Sequence, residues 1–220
     1  MALVGLIYVG AVLFINGLML LGVVDQKSAA VFNLFVGGLQ VITPTFLIFT
    51  AHGDTDTILN ASGIYLFGFT YLYVGITLLA GLDSTGVGYF SLFVAVMALG
   101  YSAANFIRSG QGALYSNVFG VIWLFWAFLW ALFFVLLGLK KEGVTSYTGY
   151  VAAIEGWVTG AIPAFLLLTN WWRNPNLIAL LLAIGGIVVF AALIPLTRPR
   201  EPQHGVPAAR RATDVAATAR

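Results

Sequence analysis

Seven stretches of the chain are almost continuously apolar: 3–23, 28–50, 62–82, 88–107, 113–139, 149–172 and 176–197. Each is close to or above the roughly 20 residues a helix needs to cross a hydrocarbon core. Lipid offers the backbone no hydrogen-bond partner, so only helices or closed barrels can span, and runs this long and unbroken exclude a barrel. The pattern predicts seven transmembrane helices joined by short polar connections. Among Asp, Glu, Lys, Arg and His, a single residue falls inside these runs: Glu155. A charge at membrane depth costs about 2.5 kcal/mol or more, so an intramembrane acid points to function.

Composition supports the same class. The 220 residues are 60% hydrophobic and 8% charged, far from the roughly 25% charge of a soluble domain. The first run has neither a basic stretch ahead of it nor a small-residue cleavage site behind it, so it is expected to stay as a helix. Lys27, Lys140, Lys141, Arg198, Arg200, Arg210, Arg211 and Arg220 fall on one side of the predicted spans, Arg108 and Arg173 on the other. That asymmetry predicts the N-terminus outside and the C-terminus in the cytoplasm. The 51–61 connection, with Asp54, Asp56 and His52 but no base, agrees. The pI near 9.0 thus reflects topology and anionic lipid, not nucleic acid. Beyond 197 the chain is rich in Pro, Ala and Arg without apolar periodicity, and 198–220 is expected to be a disordered cytosolic tail.

No catalytic set can be assembled. The chain has no Cys, and its two histidines, His52 and His204, lie in a loop and the tail. Paired carboxylates, a phosphate loop and a metal cluster are missing, so neither an enzyme nor a cofactor is expected. Polar residues inside the runs, Asn16, Asn33, Gln40, Thr43, Thr70 and Asn105, read first as hydrogen-bonding glue between helices. Pro44 and Pro163 predict kinks, and Gly37, Gly38, Gly68 and Gly100 predict close helix contacts. Trp123, Trp126 and Trp130 share one face of the fifth helix. Such a stripe either packs or lines a pore; Trp130 lies deep, where an unpartnered indole N–H is costly. Glu155 has two readings as well: a solvated group near a helix end, or a carboxylate facing a polar path.

Asp25 and Asp83 are 58 residues apart, and each is followed eight residues later by a matching segment, Asn33-Leu34-Phe35-Val36 and Ser91-Leu92-Phe93-Val94. This suggests parallel two-helix repeats, with a third unit beginning in the fifth run and the seventh run outside the scheme.

Several motifs then fall in one order: Tyr8-Val9-Gly10 with Asn16-Gly17, Asn33 with Phe35-Val36-Gly37-Gly38-Leu39, Leu66 through Tyr73, Ser91 through Ala95, Ile122-Trp123-Leu124 with Trp126 and Trp130, and Ile154-Glu155-Gly156 with Ile162-Pro163-Ala164. Over residues 1–172 the chain resembles the UreI/AmiS family of urea and short-chain amide channels. The resemblance implies an all-α polytopic protein: a six-helix channel domain at 1–172, a twisted bundle of two-helix hairpins, with an added seventh helix at 173–197. It further implies a homohexamer in a bacterial plasma membrane, each protomer with its own pore. Pore constrictions map onto Leu6, Val9 and Trp126 nearer the outside and Leu13, Phe67, Tyr71, Leu129 and Trp130 nearer the cytosol. Asn16 and Glu155 are buried polar positions, Glu155 matching the family's buried glutamate. Two departures stand out: the short outer connection carries one His, which argues against acid gating, and the seventh run fits the amide-channel branch. The expected function is passive conduction of small neutral amides, urea and acetamide among them. The alternatives are a proton-coupled transporter using Glu155 and a non-transporting membrane anchor or sensor.

Overall fold

A computed structural model describes residues 2–110 and 115–197, so the expected tail, 198–220, lies outside the described residues. Within them are seven helices long and apolar enough to span a bilayer: α1 (Ala2–Leu20), α2 (Gln26–Thr50), α3 (Thr55–Ala80), α4 (Thr85–Ile107), α5 (Asn117–Gly138), α6 (Glu142–Leu168) and α7 (Pro175–Thr197). The described residues contain no strand.

Local chemistry moves some of the expected boundaries. Helix α3 begins at Thr55 rather than 62 because the Asp54 carboxylate accepts hydrogen bonds from the backbone N–H and hydroxyl of Thr57, an N-cap that hydropathy does not register. The α2–α3 connection is therefore only Ala51–Asp54. Helix α6 starts at Glu142, not 149, since the hydroxyls of Thr145 and Thr148 donate to carbonyls of the preceding turn and make polar residues compatible with the helix. It ends at Leu168, where Asn170 turns to a φ of 58°. Pro44 lies inside an unbroken α2, whereas the irregularity at Pro163 is a π-helical segment, Gly156–Ala161, immediately ahead of it.

The helices pack chiefly in pairs: α2 with α3, α4 with α5, and α1 with α6. Asp25 caps α2 by accepting from the Lys27 and Ser28 amides, and Asp83 accepts from the Thr85 amide at the start of α4. The 58-residue spacing thus joins equivalent ends of two hairpins. The third unit corrects the expectation: α5 belongs to the second hairpin, and the third is closed by α6 and α1, the two ends of the six-helix bundle. Helix α7 leans on α5 and α6 from outside, through Phe190 against Phe125 and Phe128 and a Tyr147 hydroxyl that donates to the Phe190 carbonyl.

Close approach within the pairs depends on small residues. A methyl group at Gly10 would stand 2.5 Å from the Ala161 amide nitrogen, and one at Gly17 2.6 Å from the Gly149 carbonyl oxygen, so α1 and α6 meet backbone to backbone. Gly37 faces Leu72, and Gly68 faces the Gln40 carbonyl, the one that Pro44 cannot bond. Gly38 and Gly100 close no contact; each looks onto open space.

Candidate functional site

The centre of the bundle is assembled from α1, α3, α5 and α6. Ser116 caps α5 by accepting from the Phe119 amide, and from there the three tryptophans descend one face. Trp123 is half-buried and stacks on Tyr101, ring centroids 4.6 Å apart. Trp126 and Trp130 are buried, and Phe67 from α3 inserts its ring between them, edge-to-face at 4.7 and 5.0 Å. Offset and edge-to-face geometry is what the aromatic quadrupole favours. Neither deep indole N–H is stranded: Trp126 donates to the Thr159 hydroxyl of α6 at 2.9 Å and Trp130 to the Thr70 hydroxyl of α3 at 3.3 Å.

Val9 and Leu13 of α1, with Tyr71 and Leu129, complete this plug, and Leu6 packs against it partly buried. All eight residues expected at the constrictions therefore lie in one continuous cluster. Trp126 and Trp130 both pack and face the centre, so the two readings of the stripe are not exclusive.

Against one side of the plug lies a small open-mouthed cavity, with about 70 Å³ of enterable space, walled by Leu13, Asn16, Thr70, Tyr71 and Trp130. Its other walls include Leu20, Ser84 and Leu137, so it opens at the end where α1 joins α2, α3 joins α4 and α5 joins α6. Most of the wall is apolar, aliphatic and aromatic side chains together. Among its hydroxyls, those of Tyr71 and Thr77 are buried and have no hydrogen-bond partner among the described residues. Thr77 is not singled out by sequence; a lone polar residue in an apolar helix gives no sign of facing a cavity until its neighbours are known.

The other polar residues at depth are mostly occupied with one another. Asn16 and Asn33 exchange two hydrogen bonds, 3.0 and 2.7 Å, between α1 and α2, and Gln40 donates to the Gly5 carbonyl. Glu155 differs. It is fully buried, and neither carboxylate oxygen has a hydrogen-bond partner among the described residues. The solvated end-group reading is overturned, because α6 starts earlier than expected and puts Glu155 near its middle, beside the Gly10–Gly156 contact with α1.

Charges sit at the two rims. At the cavity mouth Lys140 donates to Asp83 at 2.9 Å and to Ser84 at 3.1 Å, tying two connections together. Hydrogen bonds from Thr85, then from Lys140, hold the Asp83 carboxyl well below the usual carboxylate range. At the opposite rim Asp56 bonds both Arg108 and the Tyr115 hydroxyl. No group of three or more His, Cys, Asp or Glu that could hold a metal occurs among the described residues.

Residues 1–171 match the AmiS/UreI family transporter. The putative transporter protein AmiS2 of Rhodococcus erythropolis is 51% identical over 208 residues, covering 90% of this chain and 98% of that protein. A putative amidate substrates transporter protein of Mycolicibacterium smegmatis is 49% identical over 195 residues, 89% of each chain. The acid-activated urea channel of Helicobacter pylori is 35% identical over 190 residues, 76% of this chain and 97% of that one. The crystal structure of the Helicobacter pylori urea channel superimposes with a TM-score of 0.69, covering 78% of this chain and 99% of the channel.

Proposed function

The chain belongs to the AmiS/UreI family of transporters, and we propose on that premise that it is a passive channel for small neutral amides such as acetamide and urea. It is a multi-pass membrane protein of a transport family, not an enzyme. The observation that carries the channel reading is the plug itself. Leu6, Val9, Leu13, Phe67, Tyr71, Leu129, Trp126 and Trp130 bring ring faces, ring edges and aliphatic groups to the bundle centre and no charge. A neutral planar amide loses far less than an ion by exchanging water for ring faces and edges, since an ion would surrender its hydration without compensation. The cavity beside the plug supports staging of substrate, its largely apolar wall suiting an alkyl group and the polar side chains set into it, Asn16 and Ser84 among them, an amide head.

The basic residues favour the cavity mouth facing the cytoplasm, with the N-terminus outside. Large apolar side chains along α2 to α4, among them Phe35, Phe46, Phe69 and Phe93, are exposed; they suit lipid and neighbouring protomers, and a homohexamer with one pore per chain in the bacterial plasma membrane is the assembly we favour.

A coupled transporter is the competing reading, favoured by the unpartnered carboxylate of Glu155. Stopped-flow swelling of proteoliposomes separates the two. Downhill equilibration of acetamide and urea, unaffected by protonophore, is expected, while accumulation against a gradient driven by pH would establish coupling. In the same assay Trp130→Ala should change permeability or amide selectivity, and the exposed Trp171→Ala should not; equal effects would remove the plug from the pathway.

A further inference from the structure

We infer that Thr159 and Thr70 are positioning residues that pin the indoles of Trp126 and Trp130 across the passage, so that the solute meets rings instead of free N–H donors. This rests on the channel reading. The two pins have the same construction. Each hydroxyl accepts from an indole N–H and donates to the carbonyl four residues back: Thr159 to Glu155 at 2.6 Å, Thr70 to Leu66 at 2.6 Å. A hydroxyl has one proton, and bonding it to a backbone carbonyl turns its lone pairs toward the ring nitrogen, which can only donate. The pins also come from different helices, α6 for Trp126 and α3 for Trp130. Two rings on one face of α5, four residues apart, are thereby tied to different helices, and the Phe67 ring packs edge-to-face against both.

The pins are unequal. Thr159 is fully buried within the π segment of α6, and its bond to Trp126 is 2.9 Å. Thr70 and Trp130 both line the cavity, and their bond is 3.3 Å. Trp126 is accordingly the fixed ring that sets the size limit, and Trp130 the ring that yields as a solute enters. An unpinned Trp126 would carry a buried donor without an acceptor, and its ring would move to find one. Size discrimination would then fall.

The test compares wild type, T159V, T159S and T70V in proteoliposomes with acetamide, propionamide and butyramide. Removing one buried hydrogen bond corresponds to about a fivefold shift in ring populations, so T159V should lower the acetamide-to-butyramide permeability ratio by about threefold or more. T159S keeps the hydroxyl and should restore the wild-type ratio, and T70V should change it less than T159V does. Ultraviolet resonance Raman spectra, read against W126F to assign the ring, should show an indole N–H hydrogen bond lost in T159V and kept in T159S, which a merely structural role would not produce. An unchanged ratio in T159V, or T159S behaving like T159V, would overturn the assignment. If T159V does not insert, a free-indole signature for Trp126 in the wild type overturns it just as directly. Wild-type vesicles without amide flux would instead sink the channel reading, while the Raman comparison would still decide the pin.

Discussion

Glu155 and Trp130 present the same problem at the scale of one residue: a polar atom on a fully buried side chain. Trp130 solves it with a hydroxyl one helix away, at 3.3 Å. Glu155 leaves both oxygens unpartnered, and it does not line the cavity. Replacing it with Gln keeps size and shape while removing any charge. A buried residue off the pathway of a passive channel tolerates that change, so Glu155→Gln should retain amide permeability within about twofold, in contrast to the loss of several kcal/mol expected when a functioning buried charge is removed. Abolished flux with intact insertion would move the function to a proton-carrying carboxylate.

At the scale of the helix, backbone proximity is the organising quantity. Lipid is as apolar as the side chains it meets, so helices adhere through close packing and not through hydrophobic exclusion. Gly10 is the sharpest case, because any β-carbon there would meet the Gly156 carbonyl and the Ala161 amide, which are backbone and cannot turn aside. Gly10→Ala should cost about 1–3 kcal/mol, the range for overpacking, and lower the thermal unfolding temperature of the detergent-solubilised protein. Gly100→Ala, where open space surrounds the site, should leave it unchanged. Equal sensitivity at both positions would mean that the α1–α6 contact is looser than described.

At the scale of the whole molecule, the ion pairs of the described residues lie at the rims, and Glu155 is the one Asp, Glu, Lys, Arg or His within the apolar runs. The Asp83–Lys140 pair ties the connections at the cavity mouth. Because Asp83 has its folded-state pKa depressed, its contribution is complete above the ordinary carboxylate range and disappears only as pH falls through the lowered value. His52 sits in the four-residue connection Ala51–Asp54, without the cluster of histidines a proton switch usually requires. Amide permeability should therefore be the same within about twofold between roughly pH 5 and 8, with loss confined to stronger acid. A steep rise on acidification would reveal a titrating group elsewhere on the pathway.

Seven spans, their membrane class and the isolation of Glu155 were legible along the chain, because hydropathy and length are local properties that lipid reads directly. The aromatic stripe of α5 was legible too, since helical period alone sets which residues share a face. Asp25 and Asp83 carried part of the repeat, while the cap at Asp54 moved a boundary that hydropathy placed too late. Other features needed the fold. Which helix closes the third hairpin, that Thr159 and Thr70 meet particular indoles, that Gly10 matters where Gly100 does not, and that Glu155 is sealed near mid-helix all depend on pairs of residues far apart in sequence. Their separation is set by how the helices meet in space, and no local pattern encodes it.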